Sequence, residues 1–274
     1  MKSLLKADFK RIMKDKLLLV VGILAVVFAA VTPLLYAAMF SGIGMEDDPM
    51  VSALISGKAQ FFSSFSIGNN LGLIAPVLLA IALCKDFSFG TVRNKVIAGK
   101  SRSEIFLSLF VTCAVVLTAV MLLHAFLTLG ISLLFFEYQP TAFTLGDFWY
   151  FLTSLAFEIL VILWVAALLS CLCVCMKNVG LVIVMYIAIS FVLVMAGSII
   201  QVVLMILKET GSNEKLENVL YFIDRINIGN AAAYIGMGMS YTLEDVLYHT
   251  IAPVAGILGF VGLGLWRFNK KDLK

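Results

Sequence analysis

The chain has 274 residues, of which 62% are hydrophobic and 14% are charged, with a formal net charge of +3. A soluble domain usually has roughly a quarter of its residues charged. A soluble protein of this length could not bury so much apolar surface, so the composition excludes a soluble globular domain and predicts an all-α polytopic membrane protein.

Residues 1–16 are predicted to form a cytoplasmic amphipathic helix just before the first apolar run. Phe9 and Ile12 belong to an apolar stripe at helical spacing, while Arg11 and the lysines occupy the rest of the circumference. A segment of this kind lies in the membrane interface. Two roles stay open for this elbow helix: an anchor that sets orientation, or contact with a cytoplasmic partner through Phe9, Arg11 and Ile12.

Six apolar runs follow, and crossing a bilayer takes about 20 apolar residues. The predicted spans, which together form a transmembrane domain over 17–266, are 17–40, 66–84, 105–136, 148–176, 179–207 and 250–266. The first run is too long for a cleaved signal peptide, whose apolar core has ~7–15 residues. The sequence therefore predicts six transmembrane helices.

The basic residues are sorted strongly to one side of these spans. Sixteen of the 20 lysines and arginines lie in the N-terminal segment, the loop 85–104, the short turn at 177 or the tail 267–274. The positive-inside rule therefore predicts that both termini are cytoplasmic. The positive charge is assigned to anionic lipid headgroups or a cytoplasmic partner, and nucleic acid is not expected as a partner.

The longest predicted outer region precedes the last span. Its segment 228–247 includes an apolar stretch that is rich in small residues and too short to span, which predicts a re-entrant or outer-leaflet helix. The last span then carries four glycines: Gly256, Gly259, Gly262 and Gly264. Small residues let helices approach closely, so this span is expected to present a packed face.

One acid, Glu158, and one histidine, His124, lie well inside the predicted spans. Charged groups in hydrocarbon cost at least a few kcal/mol, so each is a candidate functional residue. Their depths agree on adjacent antiparallel helices, which predicts an intramembrane polar pair or a shared polar path. The alternative is a neutral Glu158 that bonds to Ser154, with His124 as a packing residue.

The cytoplasmic loop 85–104 is predicted to hold a short helix between Gly90 and Gly99. Three polar side chains are expected to face the cytoplasm: Arg93, Asn94 and Lys95. Three apolar side chains are expected to face the membrane or the protein: Val92, Val96 and Ile97. Ser101 and Glu104 carry the spacing of a capping box that begins the next helix.

This loop also carries a resemblance to a known family. The chain resembles permease subunits of ABC-2-type transporters, especially bacterial permeases related to bacitracin- and lantibiotic-immunity exporters. It does so in 89–95 (Phe-Gly-Thr-Val-Arg-Asn-Lys), in 99–102 (Gly-Lys-Ser-Arg), in the tail from Trp266 and in overall layout. The resemblance implies an ABC-2 (type V exporter-like) permease fold and a coupling helix that docks on a separate ATPase subunit. The docking residues so implied are Gly90, Thr91, Val92, Arg93, Asn94, Lys95, Gly99, Lys100 and Arg102.

The resemblance implies a larger assembly in the bacterial plasma membrane. Two permease chains, identical or different, would join two ATPase chains and export a hydrophobic or amphipathic substrate such as an antimicrobial peptide. ATP and Mg would be bound by the partner, so this chain would hold no cofactor or metal and would not be an enzyme. Its stretch Gly99-Lys100-Ser101 ends like a phosphate-binding loop, but Asn94 stands where that motif has a glycine.

Other interpretations stay open. The basic loop could serve only to orient the chain in the membrane. The protein could be an ATP-independent secondary transporter or channel, which favours more intramembrane charge than Glu158 provides. It could be an intramembrane enzyme, although the motifs HExxH and GxSxG do not occur in the sequence. It could also be a sensory or scaffold membrane protein, and co-purification with an ATPase would separate the first interpretation from all of these.

Overall fold

The computed structural model describes residues 1–41, 49–88, 90–176, 178–210, 214–231, 234–235 and 241–270. These residues are almost entirely helical and include no strand. The helices in chain order are α1 (Lys2–Met13), α2 (Lys16–Ser41), α3 (Pro49–Ile55), α4 (Gly57–Ser63), α5 (Asn70–Ser88), α6 (Thr91–Ile97), α7 (Arg102–Ser132), α8 (Leu145–Met176), α9 (Val179–Thr210), α10 (Glu214–Ile226) and α11 (Leu243–Lys270).

Within the described part of the chain, six helices are long and apolar enough to cross a membrane: α2, α5, α7, α8, α9 and α11. This confirms the prediction of an all-α, multi-pass membrane protein. A helix pairs its backbone N–H and C=O groups internally, which is required in a membrane because hydrocarbon offers them no hydrogen-bond partners. α8 and α9 each have 32 residues, or about 48 Å, and therefore exceed a hydrocarbon thickness of ~30 Å.

α1, α6 and the described end of α11 meet on one side of the bundle, where Leu4, Val92 and Phe268 pack together. We call the side that holds α1, α6 and the end of α11 the terminal side, and the side that holds α3, α4 and α10 the distal side. Charge sorting predicts that the terminal side is cytoplasmic.

α8 lies at the centre of the bundle. It packs against α5, α7, α9 and α11, and 72% of its apolar stretch is buried, compared with 11% in α11. α11 approaches α8 closely at Gly256, where a Cβ atom would collide with the indole of Trp164. Close packing is thus found at Gly256 and, against Phe106, at Gly264, whereas Gly259 and Gly262 face open space.

The last helix begins earlier than its predicted span. α11 starts at Leu243 and not at residue 250, so residues 243–247 of the segment predicted to be re-entrant belong to this helix. Thr242 and Asp245 explain the early start, because the Thr242 N–H donates to Asp245 at 3.0 Å and the Asp245 N–H donates to the Thr242 hydroxyl at 3.2 Å. Residues 232–233 and 236–240 of that segment lie outside the described residues.

Two short helices, α3 and α4, follow α2 on the distal side and were not predicted. α4 docks on the loop after α7, where the N–H groups of Gly57 and Lys58 donate to carbonyls of Glu137 and Tyr138, each at 2.9 Å. The side chain of Lys58 is buried, and its Nζ lies 4.4 Å from the centroid of the Tyr150 ring. Burial lowers the pKa of Lys58, and nearby Asp147 partly opposes that change.

Candidate functional site

α6 is a short helix held between two glycines on the terminal side. Gly90 has φ of 69° and Gly99 has φ of 79°, in the left-handed region that other residues rarely adopt. The next helix begins with the predicted capping box, which is confirmed: Glu104 N–H donates to Ser101 at 3.2 Å and Ser101 N–H donates to Glu104 at 3.3 Å. Local sequence thus fixes both ends of α6 and the start of α7.

The two faces of α6 differ in chemistry. Val92 is buried in a small apolar cluster with Leu4 of α1 and Phe268 of α11, and Val96 packs against that cluster. The outward face carries Arg93 and Asn94, both exposed, and Ile97, which is 74% exposed. Of the three apolar side chains expected to face the membrane or the protein, Val92 and Val96 turn toward the protein, whereas Ile97 lies on the opposite side of α6.

Lys95 also departs from its expected orientation toward the cytoplasm. Its Nζ lies 2.6 Å from Asp8 Oδ1 on α1 and 3.1 Å from Asp86 Oδ2 on α5. Arg11 of α1 forms an ion pair with the other oxygen of Asp86. Ser108 of α7 donates to Asp8 at 2.6 Å. These five side chains, the terminal-side network, join α1, α5, α6 and α7 to one another.

The remaining described acids of the terminal side are paired as well. Asp15 lies 2.6 Å from Lys85 Nζ, and Glu104 lies 3.2 Å from the N-terminal amine. Burial alone would raise the pKa of Asp15, but hydrogen bonds from Lys85 and the Leu17 N–H lower that pKa overall. The excess positive charge of this side is therefore carried by exposed cations, among them Arg93 on α6.

Some of the other predicted docking residues contact the protein itself, and others are partly exposed. Arg102 donates to the carbonyl groups of Phe268 and Asn269 at 3.3 and 2.9 Å, which satisfies backbone acceptors at the end of α11. Thr91 and Lys100 are half-buried. In α1, Ile12 is buried and Arg11 turns toward Asp86, so among Phe9, Arg11 and Ile12 only Phe9 is largely exposed, at 40%.

The structure does not bring together the predicted intramembrane pair. His124 is buried, and its Nδ1 lies 3.0 Å from the carbonyl oxygen of Ala25 on α2. Glu158 is fully buried, and neither carboxyl oxygen has a hydrogen-bond partner among the described residues. The predicted contact between these two side chains is therefore wrong.

The alternative partner for Glu158 is wrong too. Ser154 donates to the Tyr150 carbonyl at 2.7 Å and its hydroxyl lies 2.7 Å from the hydroxyl of Tyr241. The rings of Tyr150 and Tyr241 are stacked with centroids 4.5 Å apart. Ser154 thus belongs to an aromatic cluster next to Glu158 on α8 and does not pair with that carboxyl group.

Sequence reasoning missed Asp8, Asp86 and Ser108 as members of the terminal-side network. A signal existed for Asp8, since it is the one acid in α1 and follows Leu4 by four residues on the buried face. No local pattern points to Asp86 or Ser108, because their partners are distant in the chain.

Comparison with known proteins gives a family match. A family model described as "Protein of unknown function (DUF2705)" matches residues 17–274. The matched range includes α6 and all six helices that could cross a membrane. A search of curated proteins finds no match to the chain.

Proposed function

The chain belongs to the DUF2705 family, whose description carries no activity, and we propose its function from the geometry of the terminal side. The protein is the membrane-spanning permease subunit of an ATP-binding-cassette exporter. A separate ATPase subunit docks on α6 and drives it. The chain itself carries out no hydrolysis, and ATP and Mg are bound by the partner.

One observation carries this proposal: the outer face of α6 is exposed, while Lys95 of the same helix forms ion pairs with α1 and α5. Arg93, Asn94 and Ile97 are exposed, whereas Lys95 lies between Asp8 and Asp86. A push on the outer face would reach α5 through Asp86 and α1 through Asp8. Ion pairs in such a partly buried setting are stronger than in water, which suits a rigid connection.

The outer face of α6 also has the composition of a docking surface. An exposed Ile97 at 74% is costly in water, and an arginine beside an apolar residue is a common anchor at protein interfaces. The complementary partner would offer an apolar pocket for Ile97 and acidic groups for Arg93. Such a groove on an ATPase would receive the helix.

The working unit would contain two permease chains, identical or different, and two ATPase chains in the bacterial plasma membrane. Both termini would lie in the cytoplasm, consistent with the sorting of basic residues. The substrate would be hydrophobic or amphipathic, as for antimicrobial peptides, and would leave on the distal side. These features come from the family resemblance and from the charge pattern.

Co-purification from the native host tests the proposal. The tagged wild-type chain should retain an ATPase subunit that carries a phosphate-binding loop, identified by mass spectrometry. Ile97→Asp and Arg93→Glu should each lose most of that subunit. Lys14→Glu reverses an exposed charge on the same side but away from α6, and should retain it. Absence of any ATPase from the wild-type complex would overturn the proposal.

Glu158 favours a second candidate function, an ATP-independent secondary transporter. A fully buried carboxyl group without a hydrogen-bond partner is the kind of group that proton-coupled transporters place inside the membrane. The chain reconstituted alone in vesicles that enclose a pH-sensitive dye separates the two functions. Proton movement that depends on the chain and disappears in Glu158→Gln would support the second function, whereas the exporter subunit alone should give none.

A further inference from the structure

α10, on the distal side, is an amphipathic helix packed in an unusual orientation. Its acidic residue Asp224 turns toward the protein and is fully buried. Its apolar face is largely exposed, with Val219 at 54%, Phe222 at 49% and Ile223 at 41%. In water this arrangement would be inverted, because apolar surface is the part that gains from burial.

Polar contacts hold α10 in this orientation. Asp224 accepts a hydrogen bond from Asn230 at 3.0 Å and another from the hydroxyl of Tyr234. Arg225 lies 3.5 Å from both Glu244 and Asp245 at the start of α11. The helix is thus attached through Asp224 and Arg225, and these contacts leave its apolar face turned outward.

The surroundings of α10 indicate what covers the apolar face. α10 packs against α9 and α11, two helices long and apolar enough to span the membrane. Apolar residues near the distal ends of both helices are exposed in the same way, including Val202 at 58% and Met205 at 65% on α9 and Leu247 at 46% on α11. The apolar face of α10 therefore continues a surface that faces lipid.

We propose that α10 is an interfacial helix whose partner is the phospholipid of the distal leaflet. Val219, Phe222 and Ile223 lie among the outer parts of the acyl chains, while the exposed Glu214, Lys215 and Asn218 lie at the headgroups and water. This placement anchors the connection between α9 and α11 in the bilayer surface. It does not depend on the proposed function, since it requires only that α9 and α11 span a membrane.

Fluorescence quenching by labelled lipid tests the placement. Val219→Cys, Ile223→Cys and the control Asn218→Cys are made in the full chain with its five cysteines replaced by alanine, and each carries an environment-sensitive dye. The chains are reconstituted in phosphatidylcholine–phosphatidylglycerol vesicles with or without a nitroxide at carbon 5 of the acyl chain. Quenching should be at least about twofold stronger at positions 219 and 223 than at 218, with blue-shifted emission.

Two results would overturn the proposal. One is equal, weak quenching at all three positions, which would place the apolar face in water. The other is efficient cross-linking between positions 219 of two chains without lipid quenching, which would make a second copy the occupant. If the cysteine-free chain does not fold, a fluorescent amino acid inserted at the same three positions of the wild-type chain gives the same comparison.

Discussion

Asp86 and Glu158 are both fully buried, yet they lie in opposite electrostatic surroundings. Asp86, at the terminal side, forms ion pairs with Arg11 and Lys95. Glu158, within α8, has no hydrogen-bond partner among the described residues. Ion pairs at the terminal side thus join helices, whereas the carboxyl group inside the bundle joins none through a hydrogen bond or ion pair among the described residues.

The difference has a thermodynamic meaning. Moving an ion out of water costs several kcal/mol, and a well-placed counter-ion offsets that cost. Asp86 therefore holds its neighbours in place, and removal of its charge leaves Arg11 without its ion-pair partner and Lys95 with Asp8 alone. A buried carboxyl group that has no partner among the described residues, as Glu158 has none, weakens the fold, and residues that do so often serve function.

The largest effect is expected from Asp86→Ala. Arg11 and Lys95 would lose their shared anion while still partly buried, so the free energy of unfolding should fall by about 3 kcal/mol. Equilibrium unfolding in mixed micelles measures this change. Asp15→Asn, which breaks a more exposed pair with Lys85, is the control and should cost at most about 1 kcal/mol. Equal costs for the two variants would contradict the role given to Asp86.

Lys95→Met should have the next largest effect, with a loss of about 2 kcal/mol. The loss is smaller because Asp86 still forms its ion pair with Arg11, and Asp8 still accepts the hydrogen bond from Ser108. A double-mutant cycle with Asp8→Asn should show a coupling energy of about 1 kcal/mol or more between these two residues. Strict additivity would show that the ion pair between α6 and α1 does not contribute.

Glu158→Met should act in the opposite direction. The substitution replaces an unpaired polar group by an apolar one of similar size, so the free energy of unfolding should rise by about 1–2 kcal/mol. The same unfolding measurement checks it, and Ser170→Ala on the same helix, which removes a satisfied hydroxyl, is a control that should not stabilise. Destabilisation by Glu158→Met would mean that the carboxyl group has a stabilising partner.

The smallest effect concerns pH. Because the pKa of Asp15 is lowered in the folded chain, its pair with Lys85 contributes stability above the unfolded pKa of about 3.9. That contribution is lost as the pH falls through the folded pKa. The difference in stability between wild type and Asp15→Asn should therefore shrink from pH 6 to about pH 3. A difference that stays constant over this interval would contradict the assignment.

The sequence predicted those features that depend on local pattern. The predicted bounds of the first, third, fourth and fifth spans lie within a few residues of the ends of α2, α7, α8 and α9. Ser101 and Glu104 predicted the capping box at the start of α7. The orientation of α6 was out of reach, because a helix of seven residues has fewer than two turns and its periodicity does not decide whether Lys95 or Ile97 turns inward.

Long-range contacts explain the other differences. The terminal-side network joins Asp8 to Lys95 across 87 positions, and no local spacing encodes such a pair. The amphipathic pattern of α10 is visible in the sequence, but the usual assumption puts the apolar face toward the protein. In the folded chain, Asp224 accepts hydrogen bonds from Asn230 and Tyr234, and these contacts turn the apolar face of α10 outward instead.

Position-specific photo-cross-linking tests the central claim most directly, namely that the outer face of α6 binds a separate ATPase. A photoreactive amino acid is placed in turn at positions 93, 94 and 97 on the outer face, and at positions 92 and 96 on the inner face. The account predicts covalent adducts with an ATPase subunit from positions 93, 94 and 97 alone. Adducts from both faces alike, or no ATPase adduct from any of the five positions, would contradict it.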